Sequence, residues 1–118
     1  MAFGLFKGKK SDKNKPDFSE IDSNEKAFDL FNKKQLAKLY LMPLEFGGLD
    51  GPMNCLFVPE FVVELKSRFD VMIKNLLSEG KKLRYAANPE YKGKSFIPSK
   101  LHITVTGDVQ FEETIVIW

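Results

Sequence analysis

The sequence predicts an α+β fold, a mostly antiparallel sheet of about five strands with two helices packed on one face. Apolar residues recur at helical spacing in 60–79 and alternate with polar residues in 101–105. The predicted strands also follow one another in runs, with connections of hairpin length. Because 118 residues are the length of one domain, we assign 21–118 to a single domain and 1–20 to a flexible basic leader.

The first helix is predicted to start near Asp22. Asp22 and Glu25 stand three residues apart, as in a capping box with Asp in place of Ser or Thr. The pattern ends within 33–36, and one apolar stripe is formed by Ala27, Phe28, Leu30 and Phe31.

The second helix is predicted over 60–79. Pro59 suits the entry to a helix, and Gly80 suits its end. Asp70 and Lys74 are expected to pair on the solvent side, four residues apart. The apolar face is expected to consist of Val62, Leu65, Phe69, Met72, Ile73 and Leu76.

Three shorter strands are predicted at 38–44, 55–58 and 83–87. Pro43 near the end of the first suggests an edge or a strand terminus. Gly-rich residues 45–52 and the stretch 88–95 are expected to be loops.

The last two strands are predicted to form a hairpin whose register follows from its apolar residues. A two-residue loop would set the apolar row of the first strand beside a polar row of 111–118. A three-residue loop, 107–109, instead pairs Val105 with Phe111 and Leu101 with Ile115. In that register His102 lies opposite Thr114, and Ile103 lies beside Glu113.

The net positive charge of the chain lies in the leader. Residues 1–16 hold five lysines and one aspartate, whereas 17–118 hold 13 basic and 15 acidic residues. A near-neutral body argues against nucleic acid as the main partner, since such domains usually carry a basic face. The single cysteine, the order of charge and apolar residues at the N-terminus, and the lack of a long apolar run indicate a cytoplasmic protein.

No group of residues with the spacing of a catalytic, metal or cofactor site is visible. His102 is the only histidine, and Glu112 and Thr104 are its expected neighbours on one strand face. A small hydrolase-like enzyme based on His102 is therefore the weakest of our hypotheses. Cys55, in a short apolar strand, is predicted to be a buried and inert thiol. We expect no cofactor and no metal ion.

Surface recognition is the function that the remaining residues favour. The loop 46–54 carries apolar groups on a Gly-rich segment, and the aromatic and basic stretch 85–97 is typical of interface cores. The second predicted surface is the exposed face of the last strands. The candidate binding residues are Phe46, Leu49, Asp50, Asn54, Tyr91, Lys100, His102, Thr104, Glu112 and Thr114.

The leader also offers a weak membrane contact. Apolar residues followed by lysines bind a membrane surface by partial insertion and by attraction to anionic lipids. The residues that would do so are Phe3, Leu5, Phe6, Lys7, Lys9 and Lys10.

The leading functional hypothesis is a non-catalytic protein-binding domain, such as a small bacterial inhibitor or immunity-type accessory protein. The alternatives are a peripheral membrane adaptor and the His102 enzyme. Edge strands and plentiful aromatic residues also make a homodimer compatible with the sequence.

Overall fold

Residues 17–118 are described by a computed structural model and form two helices and five antiparallel strands, which confirms the α+β fold class. The strands form two sheets, one of two strands and one of three in the order β3-β4-β5. In chain order the elements are α1 (Asn24–Asn32), β1 (Ala37–Tyr40), β2 (Cys55–Val58), α2 (Glu60–Ser78), β3 (Leu83–Glu90), β4 (Lys100–Gly107) and β5 (Phe111–Val116).

The leader is described only from Asp17 onward, so its predicted membrane residues lie outside the described part of the chain. Phe18, within the predicted leader, packs edge-on against Trp118 with ring centroids 5.9 Å apart. Phe18 thereby contacts the core, so the described end of the leader is attached to the domain.

Helix α1 is capped one residue later than the Asp22–Glu25 spacing predicts. The backbone of Ser23 is extended, and its hydroxyl accepts a hydrogen bond from the Lys26 amide at 3.2 Å. Asp22 instead pairs with the Lys26 ammonium at 2.8 Å. Only a residue whose side chain reaches back to the first free amides can act as the cap, and here that residue is Ser23.

Strand β1 ends at Tyr40, four residues before the predicted end. The Asn54 side chain occupies both backbone groups of Met42: its carbonyl accepts from the Met42 amide at 2.8 Å, and its NH2 donates to the Met42 oxygen at 2.9 Å. Pro43 has no amide hydrogen, and one turn of 3-10 helix follows at Leu44–Phe46. The apolar pattern that predicts a strand continues to residue 44, but β1 ends where the Asn54 side chain takes the place of a paired strand.

Helix α2 contacts both sheets and supplies much of the core. Val62, Phe69 and Ile73 are almost fully buried, and the Phe69 ring stacks on Phe111 of β5 at 6.4 Å. Burial of each such side chain contributes about 1.5–3 kcal/mol. Met72, predicted to face the core, is instead exposed.

The three-stranded sheet confirms the predicted hairpin register. Val105 pairs with Phe111, Leu101 with Ile115 and His102 with Thr114. Gly107 opens the turn with φ of +115°, a conformation that side chains rarely adopt. The structure therefore contains the three-residue loop that the apolar pattern required.

Strand β3 runs to Glu90, so the predicted loop at 88–95 is wrong in its first three residues. Asn88, Pro89 and Glu90 pair with His102, Leu101 and Lys100. A proline is tolerated because β3 is an edge strand, where a missing amide hydrogen need not break a ladder bond. This extension brings Glu90 onto the same sheet face as His102.

One face of the three-stranded sheet is covered and the other is open. Residues of β3 alternate between half-buried and exposed, and Leu101, Ile103 and Val105 of β4 are completely buried. Within residues 17–118, no helix is long and apolar enough to cross a membrane.

Candidate functional site: an apolar cleft beside the 47–54 loop

A cleft of about 750 Å³ lies between α1, the β1-β2 sheet and the segment 91–96. Phe28, Phe57, Tyr91 and Phe96 line it, together with smaller and polar residues. Its volume falls within the range of about 300–1,000 Å³ that is usual for ligand sites.

The walls of this cleft are aromatic. Phe57 of β2 contacts two rings of α1, Phe31 at 5.0 Å and Phe28 at 6.1 Å between ring centroids. Phe28 remains 52% exposed, and Tyr91 and Phe96 are exposed to a similar extent. Large apolar side chains grouped on the surface of a small domain mark an interaction site more often than isolated ones do.

The wall at 91–96 is anchored by its backbone, although its rings are exposed. The Phe96 amide donates to the Ile21 carbonyl at 2.7 Å, and the Ser95 hydroxyl accepts from the Ile97 amide at 3.0 Å. The Phe96 ring is therefore presented by a fixed main chain rather than by a loose loop.

A charged pair borders the cleft. Lys38 Nζ lies 3.3 Å from Asp50 Oδ1, and the Cys55 thiol donates to the same oxygen at 3.8 Å. The hydrogen bond from Lys38 lowers the pKa of Asp50, and the hydrogen bond to Asp50 raises the pKa of Lys38. Because both groups are exposed, the pair adds polarity to the rim and little stability.

The loop from Gly47 to Asn54 is held by the Asn54 side chain, which also donates to the Leu49 carbonyl at 2.9 Å. Gly48 passes so close to the Met42 carbonyl that a Cβ there would overlap the oxygen. The loop presents Leu49, which is 78% exposed, and Met53, which is 93% exposed.

Of the loop residues predicted to bind, Asp50 lines the cleft together with the predicted Tyr91, and Leu49 stands at the surface beside it in sequence. Asn54 serves as the internal clamp of the loop. Phe46 is half-buried against the Tyr85 ring at 6.3 Å, and it does not line the cleft.

The predicted sheet-face residues do come together on the open face of the three-stranded sheet. His102 Nδ1 lies 3.0 Å from the Thr114 hydroxyl, and Nε2 lies 2.8 Å from Glu90 Oε1. Thr104 pairs with Glu112, and Lys100 with Glu90. The hydrogen bond from His102 is the main cause that lowers the pKa of Glu90.

The carboxylate partner of His102 is thus Glu90, a contact that the sequence did not predict because residue 90 falls in a predicted loop. The order hydroxyl, imidazole and carboxylate resembles that of a nucleophilic triad in composition. However, His102 and Glu90 are both exposed, and His102 borders neither described cavity. A triad also needs oxyanion donors and a cleft that positions the substrate.

A buried charged cluster lies elsewhere, between α2 and β3. Lys66 Nζ contacts both Asp70 carboxylate oxygens at 3.2 and 3.0 Å, and the Tyr85 hydroxyl donates to Asp70 at 3.1 Å. The Lys66 side chain is only 2% exposed. Burial lowers the pKa of Lys66, and burial beside Asp70 raises the pKa of Tyr85.

This cluster overturns the predicted Asp70–Lys74 pair. Lys74 instead reaches Glu45 at 3.5 Å. The helical spacing indicates that Lys66 is buried, because residue 66 falls on the same helical stripe as the buried Val62, Phe69 and Ile73. Lys66 and Asp70 also border a smaller cavity of about 310 Å³.

Within residues 17–118, no three His, Cys, Asp or Glu residues are grouped so that they could hold a metal ion. Comparisons of the chain with protein-family models, with curated proteins and with solved structures find no match.

Proposed function

We propose that this protein binds another protein, without covalent chemistry, through the cleft and the adjoining loop tip. The cleft surface is defined here as Phe28, Tyr91 and Phe96 around the cleft with Leu49 and Met53 on the loop. Asp50, Gly51 and Pro52 line the cleft, so the loop that carries Leu49 and Met53 forms part of its rim.

The observation that carries this proposal is the exposure of three large aromatic side chains that line one cavity, together with two exposed apolar side chains on the loop whose residues 50–52 line it. Aromatic and methionine side chains are enriched at the centres of protein interfaces. Each square ångström of apolar surface that a partner covers contributes about 25 cal/mol before the costs of association. The complementary partner surface is an apolar side chain or short apolar segment.

The open face around His102 is the second candidate surface for a protein partner. It is polar, and His102 at its centre hydrogen-bonds to both Thr114 and Glu90. Polar surfaces of that kind contribute mainly to orientation and specificity, whereas buried aromatic anchors usually carry the binding energy. The cleft surface is therefore the better-supported site.

Partner capture with matched surface variants tests the proposal. Leu49→Asp with Met53→Asp introduces two charges at the loop tip, and Thr104→Asp with Thr106→Asp introduces two on the open sheet face. All four side chains are exposed or half-buried, so both variants should fold. Proteins captured from the native source by the unmodified chain are compared by quantitative mass spectrometry.

We expect the loop variant to lose the specific partner at least about tenfold, the effect of roughly 1.4 kcal/mol, while the sheet-face variant keeps it. Loss of the partner only in the sheet-face variant would move the site to the face around His102. Substrate turnover that disappears in His102→Ala would support the enzyme hypothesis instead.

The expected cellular location, biological role and homodimer are part of this proposal as well. A cytoplasmic location is supported by the single cysteine, and an inhibitor or immunity-type role by the small size of the domain. The edge strands β3 and β5 are the surfaces through which a homodimer would extend the sheet.

A further inference from the structure

We infer that the free edge of β2, inside the cleft, takes up an extended, uncharged apolar segment of a partner protein as an added antiparallel strand. This inference rests on the proposed function and specifies its partner. Main-chain hydrogen bonds to β2 hold the segment, and the aromatic residues of the cleft receive its alternate side chains.

The register of the two-stranded sheet shows which backbone groups of β2 face away from β1. Directly beyond the last pair of the ladder, the Leu41 amide donates to the Asn54 carbonyl at 2.9 Å. Hydrogen-bonded and non-hydrogen-bonded pairs alternate in an antiparallel ladder. Leu56 is therefore bonded to β1, whereas Cys55 and Phe57 direct their amides and carbonyls outward. The edge of β2 thus offers two donors and two acceptors.

These four outward groups have no partner in the part of the chain that the structure describes. The sheet there consists of β1 and β2, so no third strand pairs with β2. No hydrogen bond within residues 17–118 satisfies the outward amide or carbonyl of Cys55 or Phe57. Both residues are half-buried, so the groups remain within reach of a ligand. An unpaired strand edge is a template for a further strand.

The free edge of β2 opens into the cleft. Cys55, Leu56 and Phe57 all line the cleft, although successive side chains of a strand point to opposite faces, so the cleft reaches β2 from its edge. In an antiparallel pair, the side chains opposite Cys55 and Phe57 lie on the same face as the Phe57 ring. That ring lies 6.1 Å from the ring of Phe28, so the added side chains meet the aromatic wall.

The charges of the cleft favour an uncharged segment. Lys38 and Asp50 are the two charged residues that line it, and they pair with each other at 3.3 Å. A charged side chain placed among the aromatic rings would lose its hydration without gaining a counter-ion. The complementary segment therefore carries apolar, uncharged side chains at the positions that face Phe28.

A single segment fits this place better than a second copy of the chain. Helix α1 and residues 91–96 stand beside the β2 edge as the walls of the cleft. In a second copy the same walls stand beside its own β2 edge, so two such edges would meet only if the walls moved apart. The four residues of β2 can pair with a segment of similar length, roughly 13 Å.

Amide hydrogen exchange of the full chain tests the free edge. In the protein alone, and after correction for intrinsic rates, the amides of Cys55 and Phe57 should exchange at least about tenfold faster than that of Leu56, which is bonded to β1. The probe is the capped peptide acetyl-Thr-Val-Thr-Phe-Thr-Val-amide, whose apolar side chains lie on one face of a strand. Its addition should slow exchange at Cys55 and Phe57 at least about tenfold and leave Leu56 unchanged.

Two N-methylated forms of the peptide separate strand pairing from apolar contact alone. In an antiparallel pair, the residues opposite Cys55 and Phe57 bond to β2 through their own amides. Methylation of the Val and Phe amides should therefore weaken binding at least about tenfold, whereas methylation of the Thr amides should leave it unchanged. Phe28→Ala should weaken binding of the unmethylated peptide, and Val71→Ala, at a similarly exposed position on α2, should not.

The inference is overturned if Cys55 and Phe57 exchange as slowly as Leu56 in the protein alone, or if millimolar peptide leaves their exchange unchanged. It is also overturned if methylation of the Thr amides weakens binding as much as methylation of the Val and Phe amides, or if a peptide with Lys in place of its Phe binds equally well. Partner capture is a separate readout. A natural partner that is lost in the loop variant, together with equal binding of the two methylated peptides, would support the proposed function and reject strand pairing.

Discussion

Replacement of Asp70 by Ala should strongly destabilise the fold, because it leaves a buried ammonium without its counter-ion. Lys66 is almost inaccessible, and its Nζ contacts both oxygens of Asp70 at hydrogen-bond distance. Removal of one partner of a buried pair costs about 3–5 kcal/mol. A domain of this size usually has about 5–15 kcal/mol in total, so the loss is a large part of its stability.

The matched control removes both charges. Lys66→Met with Asp70→Leu replaces the pair by apolar groups of similar size, and such replacements are often neutral or stabilising. Urea unfolding followed by circular dichroism measures the free energy of unfolding of each variant. A loss below about 1 kcal/mol in Asp70→Ala would refute the claim that the pair is buried. Equal losses in the single and double variants would refute the claim that charge is the cause.

The pH dependence of the free energy of unfolding is a second test of the burial of Lys66. Burial lowers the pKa of Lys66 in the folded chain below its ordinary value of 10.5. At a pH between that lowered pKa and 10.5, the unfolded chain therefore binds more protons than the folded chain. The free energy of unfolding therefore rises with pH in that window. Lys66→Met should remove this rise. The raised pKa of Tyr85 has the opposite effect above its ordinary 10.0, because only the unfolded phenol ionises there.

Two further predictions follow from the sheet. Gly107→Ala should lower the free energy of unfolding by at least about 1 kcal/mol, since φ is +115° and the added Cβ would overlap the Lys82 carbonyl; an unchanged urea midpoint would contradict the strain. His102→Ala should raise the pKa of Glu90 toward its ordinary 4.5, because the hydrogen bond that favours the carboxylate is lost. Carboxyl-carbon NMR titration measures this pKa, and a value that stays low would show that another group is responsible.

The predictions that succeeded concern patterns that local geometry imposes. Helix α2 follows from the apolar period of 60–79, and it ends one residue before the predicted boundary. The β4-β5 register follows from matching apolar residues across a short turn, because a one-residue slip reverses the faces of a strand. Both arguments use only neighbours along the chain or across one hairpin.

The candidate site was predicted in part. Asp50 and Tyr91 were both named from the sequence, and both line the cleft. Phe28 and Phe57 were assigned to an ordinary helix stripe and strand, since nothing in their spacing shows that a third segment leaves a gap beside them. Asn54 was taken for a binding residue, although its side chain replaces a backbone partner of Met42.

The sequence by itself determined the fold class, the second helix and the hairpin register, because the helical and strand periods are read along one segment. Only the tertiary structure decided that the strands divide into two sheets, that Glu90 meets His102, and that Lys66 is buried with Asp70 and Tyr85. Such contacts depend on how separate segments approach one another in space, and residue spacing along the chain does not encode that approach. The cleft itself is of this kind, since it is bounded by α1, the β1-β2 sheet and residues 91–96 together.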